Sequence, residues 1–212
     1  MRLYGYWTSN PQKIRLALEE IGEPYEYEYV DLSQRAHKTP EFKDLNPRQK
    51  VPLLVDEEAI LWESGAALVH LSQKAPHLWP SDETGRAQAL SLLFFEASTF
   101  NAVARIYFFN RLVLPRLNKA GDEERVAQAA KKMKPLLTLL EQRLERTDAY
   151  LLGDFSLVDC AYAPFLPILD LEAISDDQVV GIGELLSSSE VVTVTARVQA
   201  VDWVVVEELR LI

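Results

Sequence analysis

The hydrophobic periodicity of this chain changes kind near residue 75, and that change restricts the folds open to it. On the N-terminal side, short strand patterns alternate with helical spacing. Leu3 to Tyr6 is a short apolar and aromatic run. Ile14, Ala17, Leu18 and Ile21 then fall on one helical face, which Gly22 closes. YEYEYV (25–30) alternates tyrosine with glutamate, the pattern of a strand with one wet face. VPLLVD (51–56) and AILW (59–62) read as a hairpin across the acidic pair Glu57-Glu58, and residues 64 to 75 return to helical spacing. A strand, helix and strand of these lengths make a right-handed crossover with parallel strands. The order is therefore βαβ, an irregular or helical segment, then ββα.

APHLWPSDETG (75–85) carries two prolines and a glycine and reads as a linker. Beyond it the chain reads as helix. One stretch (roughly 84–118) is rich in Leu, Phe and Ala, and a second (roughly 122–146) has apolar spacing at Met133, Leu136, Leu137 and Leu140. A third begins at FSLVDCAYAPFL, where Ser156 and Asp159 have the spacing of a capping box. The fold class expected is α/β plus all-α, with an α/β domain over 1–77 and an all-helical domain over 85–212. The last segment, EVVTVTARVQAVDWVVVEELRLI, is rich in β-branched residues, which favour strands by propensity. Val194, Val198, Val201 and Val205 nevertheless fit one helical face, so residues 174–212 are expected to be helical.

Composition excludes several partners. A net charge of -10 disfavours nucleic acid and anionic membrane, both of which demand cationic patches. No basic-then-apolar leader opens the chain and no uninterrupted apolar run is long enough to span a bilayer, so a cytoplasmic location is expected. Cys160 is the only cysteine, which rules out an intrachain disulfide and a four-cysteine zinc site. His37, His70 and His77 lack metal-ligand spacing, and no metal is expected.

Four short stretches bear chemistry. In TSNP, Pro11 suits the first helical position and makes Asn10 the natural N-cap, with Thr8 and Ser9 above the positive end of the helix. Such a place favours a small anion, though surplus turn residues explain it equally well. HKTPEF (37–42) offers His37 and Lys38 as cations or donors for a carboxylate, or as a solvated loop. Pro52 cannot complete a central ladder, so the backbone of Val51 is left to face something other than a strand. In ESGAAL, Glu63 and Ser64 precede a helix and set an acid beside free N–H groups and a hydroxyl.

Together these stretches resemble the cytosolic glutathione transferases over about residues 1 to 170. The resemblance rests on the βαβ start with its hydroxyl-bearing turn, on HKTPEF followed by LNPRQKVPLLVD, on ESGAAL, and on SLVDCAYAPF. It implies a thioredoxin-like N-terminal domain that binds glutathione, an all-helical C-terminal domain, and a homodimer. Glu63 and Ser64 would hold the γ-glutamyl end of glutathione. Val51, before a cis Pro52, would pair with the cysteinyl backbone. His37 and Lys38, assisted by Lys50, would meet the glycyl carboxylate.

The family activates the glutathione thiol with a serine, tyrosine or cysteine at the first turn. Ser9 matches the theta-like spacing S-x-P-x-[KR] ending at Lys13. Thr8 matches the zeta-like spacing, with threonine in the serine place. Serine is the commoner residue, which favours Ser9, and Asn10 would donate to the same sulfur. The co-substrate implied is a small hydrophobic electrophile, with Phe100, Ile106 and Tyr107 as candidates for its pocket or for plain core. Cys160 reads as a small buried hydrophobe, and Asp159 as a cap. After about residue 172 the family pattern weakens: Arg197 stands where an aromatic is expected. A non-catalytic binding or adaptor protein on the same architecture is the alternative.

Overall fold

The computed structural model describes residues 1–147 and 149–169. The chain divides into two compact units between Pro76 and His77. The first contains β1 (Arg2–Gly5), α1 (Ser9–Ile21), β2 (Glu26–Tyr29), α2 (Pro40–Leu45), β3 (Leu53–Asp56), β4 (Ala59–Trp62) and α3 (Ser64–Leu71). Its sheet runs β2-β1-β3-β4, with β1 parallel to β2 and antiparallel to β3, and β3 antiparallel to β4. The βαβ start and the ββα end thus stand as the periodicities indicate.

Of the helical face read from Ile14, Ala17, Leu18 and Ile21, the first three are fully buried and Ile21 is half-buried; α1 packs beside α3, whose Ala67, Leu68 and Leu71 are buried too. Burial on α1 goes further than that face. Lys13, Arg15 and Leu16 are also enclosed, and the Arg15 guanidinium lies 4.5 Å from the centre of the Tyr27 ring. Gly22 ends α1 at φ 72, a left-handed conformation in which its N–H reaches the carbonyls of Leu18 and Glu19. On β2 the glutamates are exposed and Tyr27 and Tyr29 half-buried, the alternation of a strand with one wet face. Gly5 lets the Tyr27 ring approach closely: a Cβ there would lie 2.7 Å from the Tyr27 hydroxyl, and the ring would have to shift.

A second cluster forms around Val30, Phe42 and Leu53, with Leu32, Ala36, Leu45 and Val51 against it. Phe42 is its anchor. It ties α2 and the chain on either side of it to the sheet, which fixes where His37 and Val51 stand.

The second unit contains a continuous helical run, Glu83–Arg116. It comprises α4 (Glu83–Phe95), a π-helical turn (Glu96–Phe100), α5 (Asn101–Tyr107), a second π-helical turn (Phe108–Val113) and α6 (Leu114–Arg116). By length and composition this run would suffice to cross a membrane, a test that a core helix also passes. Here α5 packs on α7 (Glu123–Thr147), and Phe100 lies 5.2 Å from Tyr162 and 5.9 Å from Phe165, ring centre to ring centre. Phe100 and Tyr107 are almost wholly buried, so they belong to the core of this unit rather than to a pocket wall; Ile106 is half-buried.

The expected capping box is present at α8 (Leu157–Tyr162). The Asp159 carboxylate accepts from the Ser156 N–H at 2.9 Å, the Ser156 hydroxyl at 2.7 Å and the Leu151 N–H at 2.9 Å. Cys160 is buried, as a small hydrophobe should be. The helix expected over 174–212 lies outside the described residues.

Candidate functional site

Strand direction alone gathers the four stretches. With β1 and β2 parallel and β3 antiparallel to β1, the C-terminal ends of β1, β2 and β4 lie at the same edge as the N-terminal end of β3. Thr8, Ser9 and Asn10 follow β1, His37 and Lys38 follow β2, Lys50, Val51 and Pro52 precede β3, and Glu63 and Ser64 follow β4. Ligands in sheets with such crossovers bind outside the carboxyl ends of the strands, and that is where these residues collect.

At the first turn the structure corrects one expectation. The N-cap is Thr8, at φ -74 and ψ 159, and the helix begins at Ser9 rather than after Asn10. The first intrahelical bond runs from the Gln12 N–H to the Thr8 carbonyl. Pro11 therefore occupies the third helical position, where its missing N–H is one of those left unpaired in any helix. The Thr8 side chain makes no capping hydrogen bond and is half-buried, whereas Ser9 is 8% exposed.

After β2, His37 and Lys38 lie on a 3₁₀ turn, Ala36–Lys38, entered through Arg35 at φ 59. Thr39 then caps α2, its hydroxyl accepting the Phe42 N–H at 3.3 Å, with Pro40 as the first helical residue. This accounts for the order of HKTPEF: two ligand candidates, a cap, a helix-starting proline, an acid and a core anchor. Among the described residues the His37 Nδ1 is buried without a hydrogen-bond partner. Burial pushes the His37 pKa down, and the neighbouring Lys38 and Arg35 charges push it the same way. His37 is thus a neutral imidazole near pH 7, a donor rather than a second cation; Lys38 is exposed and carries the charge.

The Val51-Pro52 peptide is cis. Sheet pairing ends at Leu53 on both sides of β3, against Tyr4 and Trp62, so Val51 stands beyond the ladder. Asn46, 1% exposed, organises the approach. Its Oδ1 accepts the Arg48 N–H at 3.0 Å and its Nδ2 donates to the Lys50 carbonyl at 2.7 Å. Glu63 caps α3 at φ 91, an unusual conformation for a residue with a side chain, and Ser64 is the first helical residue. A guanidinium nitrogen of Arg48 stands 3.3 Å from the Glu63 carboxylate.

Sequence reasoning passed over Asn46 and Arg48. An asparagine before proline is an Asx-turn signal, and the Arg48 N–H bond to Asn46 has that geometry, so the loop was legible from the residues. The Arg48–Glu63 contact joins two distant loops and had no local sign. A cleft of about 530 Å³ lies at the opposite edge of the sheet, lined by Asp56, Glu57, His70 and Lys74 among others. There the Asp56 carboxylate pairs with His70 at 2.7 Å and Lys74 at 3.1 Å, which pins the β3–β4 turn to α3.

Residues 1–73 match the family described as Glutathione S-transferase, N-terminal domain, and residues 123–174 match Glutathione S-transferase, C-terminal domain. Among curated proteins, the chain is 32% identical to Glutathione S-transferase 1 of Zea mays, covering 80% of this chain and 85% of that one. It is 36% identical to Glutathione S-transferase 3 of Zea mays, covering 80% and 78%. The transcriptional regulator URE2 of Saccharomyces cerevisiae is 27% identical over 76% of this chain and 56% of its own length. Among solved structures, a glutathione transferase of Burkholderia graminis with two glutathione molecules bound per subunit superposes with a TM-score of 0.77 at 28% identity. That likeness covers 91% of this chain and 86% of the other. With both family regions matched and relatives above 30% identity over four fifths of the chain, the chain belongs to the glutathione S-transferase family.

Proposed function

We propose that the protein binds glutathione at the gathered edge of the sheet and transfers it, as thiolate, to a small hydrophobic electrophile. The observation that carries this reading is the convergence there of a hydroxyl-bearing helix start, a donor and a cation after β2, the backbone of Val51 beyond the strand ladder, and the Glu63-Ser64 pair. In this reading Glu63 and Ser64 take the γ-glutamyl end, Val51 the cysteinyl backbone, and His37, Lys38 and Lys50 the glycyl carboxylate. The thiol proton leaves to solvent, sulfur forms a bond to the electrophilic carbon, and the leaving group departs with its electron pair.

The energetics are within reach of this turn. Lowering a thiol pKa from about 8.5 to about 6.5 takes roughly 2.7 kcal/mol in favour of the thiolate. One hydrogen bond to a charged group gives about 1.5–3 kcal/mol, and a helix N-terminus about 0.3–1 kcal/mol more. Thr8 is favoured as the donor, because its hydroxyl is free of capping and more accessible than that of Ser9. Ser9 and Asn10 complete the donor set. A cytoplasmic homodimer acting in detoxification, with domains over 1–77 and 85–212, belongs to the same reading.

Turnover of glutathione with an activated aryl halide tests it: saturable conjugation is expected, and binding without turnover contradicts it. The likeness to URE2 supports a second reading, a glutathione-transferase-like binding or adaptor protein, and absent turnover is the result that would favour it.

A further inference from the structure

We propose that Arg48 is a ligand-contacting residue of the γ-glutamyl end, its guanidinium meeting the α-carboxylate of glutathione while Glu63 meets the α-ammonium. This rests on the glutathione reading above. An α-amino acid end carries one positive and one negative group on a single carbon, and its complement is an opposed pair of charges held side by side. Arg48 and Glu63 are such a pair, 3.3 Å apart, with Ser64 and the unpaired N–H groups of α3 next to it.

Both members are fixed from behind rather than by each other. Asn46 holds the Arg48 backbone, and the next residue, Gln49, is set at φ 54 with its N–H on the Asn46 carbonyl at 2.8 Å. The guanidinium lies 5.9 Å from the centre of the Trp62 ring, within cation–π range. Glu63 is set by its own backbone at φ 91. The two side chains are 49% and 61% exposed, and an ion pair so open to water contributes little to folding. Stability is therefore a poor reason for the arrangement. The pair also leaves much of each partner unused: a guanidinium has five N–H donors and a carboxylate two oxygens, so each can take a ligand group without releasing the other.

Calorimetric titration with three tripeptides tests the assignment: glutathione, its analogue with 4-aminobutyryl in place of γ-glutamyl, which lacks the α-carboxylate, and its glutaryl analogue, which lacks the α-ammonium. Arg48→Ala should weaken glutathione and the glutaryl analogue about tenfold, leave the 4-aminobutyryl analogue within about twofold, and be partly restored by Arg48→Lys. Equal losses for all three ligands, or none, would overturn the role of Arg48. Ser64→Ala is the control for the underlying site. If it weakens glutathione while Arg48→Ala does not, only the present inference fails. If neither matters, or the wild type does not bind, the placement of glutathione fails with it.

Discussion

Thr8 and Ser9 differ by one helical position, and that difference separates their chemistry. The N-cap residue stands outside the helix with its side chain over the unpaired N–H groups, while the next residue is already wound into the first turn. Thr8→Ala should therefore lower the conjugation rate by one to two orders of magnitude (about 1.5–3 kcal/mol for a lost bond to a thiolate), with glutathione affinity nearly unchanged. Steady-state kinetics beside calorimetry measures both, and a larger loss in Ser9→Ala would reverse the assignment. His37 carries a second residue-level consequence. A carboxylate bound beside a neutral imidazole favours its protonation, so binding takes up a proton below the ordinary histidine value of 6.5. Using S-methylglutathione, which has no thiol to titrate, affinity should rise as pH falls from 7.5 to 5.5, by about twofold to fivefold. The Lys38 and Arg35 charges act on the same ring in the opposite sense. His37→Gln should flatten the profile; an unchanged slope in that variant would remove His37 from the site.

At the level of elements, two carboxylates respond to pH with opposite sign. Burial of Asp159 pushes its pKa up to about 6, against the three hydrogen bonds that favour its charge. A carboxyl whose pKa is raised on folding stabilises the fold fully below its ordinary 3.8 and loses that contribution as pH rises through about 6. Burial also works against the charge of Asp56, yet hydrogen bonds from His70 and Lys74 hold its pKa below 3.8. Its stabilisation is present above 3.8 and lost as pH falls further. Thermal unfolding from pH 4 to 6 should therefore show a fall in stability that Asp159→Asn abolishes, and below pH 4 a fall that Asp56→Asn reduces. Gly22→Ala should cost about 1 kcal/mol, because alanine is strained at the left-handed helix end. The elements most legible in the sequence are those whose signals are local and redundant, such as α1 with its apolar face and glycine stop, or α8 with its capping box. The two π-helical turns were not legible. Along the long helical run Phe94 and Phe109 are exposed while Phe100, Tyr107 and Phe108 are buried. An aromatic-rich stretch gives no local sign of which ring faces inward.

At the scale of the whole chain, the site is a product of topology more than of any one motif. Four stretches spread over more than fifty residues reach one edge because β1 and β2 run one way and β3 the other. The motifs supplied candidate residues, and strand direction supplied their assembly. What single residues could not convey was contact between loops, and so Arg48 went unseen while Glu63 was read correctly as a helix-start acid. The strongly acidic balance of the chain sharpens the same point: a tripeptide with two carboxylates needs local cations, and Lys38, Lys50 and Arg48 lie along the loops that converge at this edge. If the chain is a homodimer, sedimentation at low micromolar concentration should give twice the 24.1 kDa chain mass, and a monomer there would refute that assignment.

In the proposed reading, the helix start after β1 holds glutathione as its thiolate. The most direct test is a titration of bound glutathione from pH 5 to 9, with binding followed by calorimetry and ionisation by thiolate absorbance. Binding with the thiol pKa lowered by about two units is the expected result. Glutathione that binds with an unshifted thiol, or fails to bind, would contradict it.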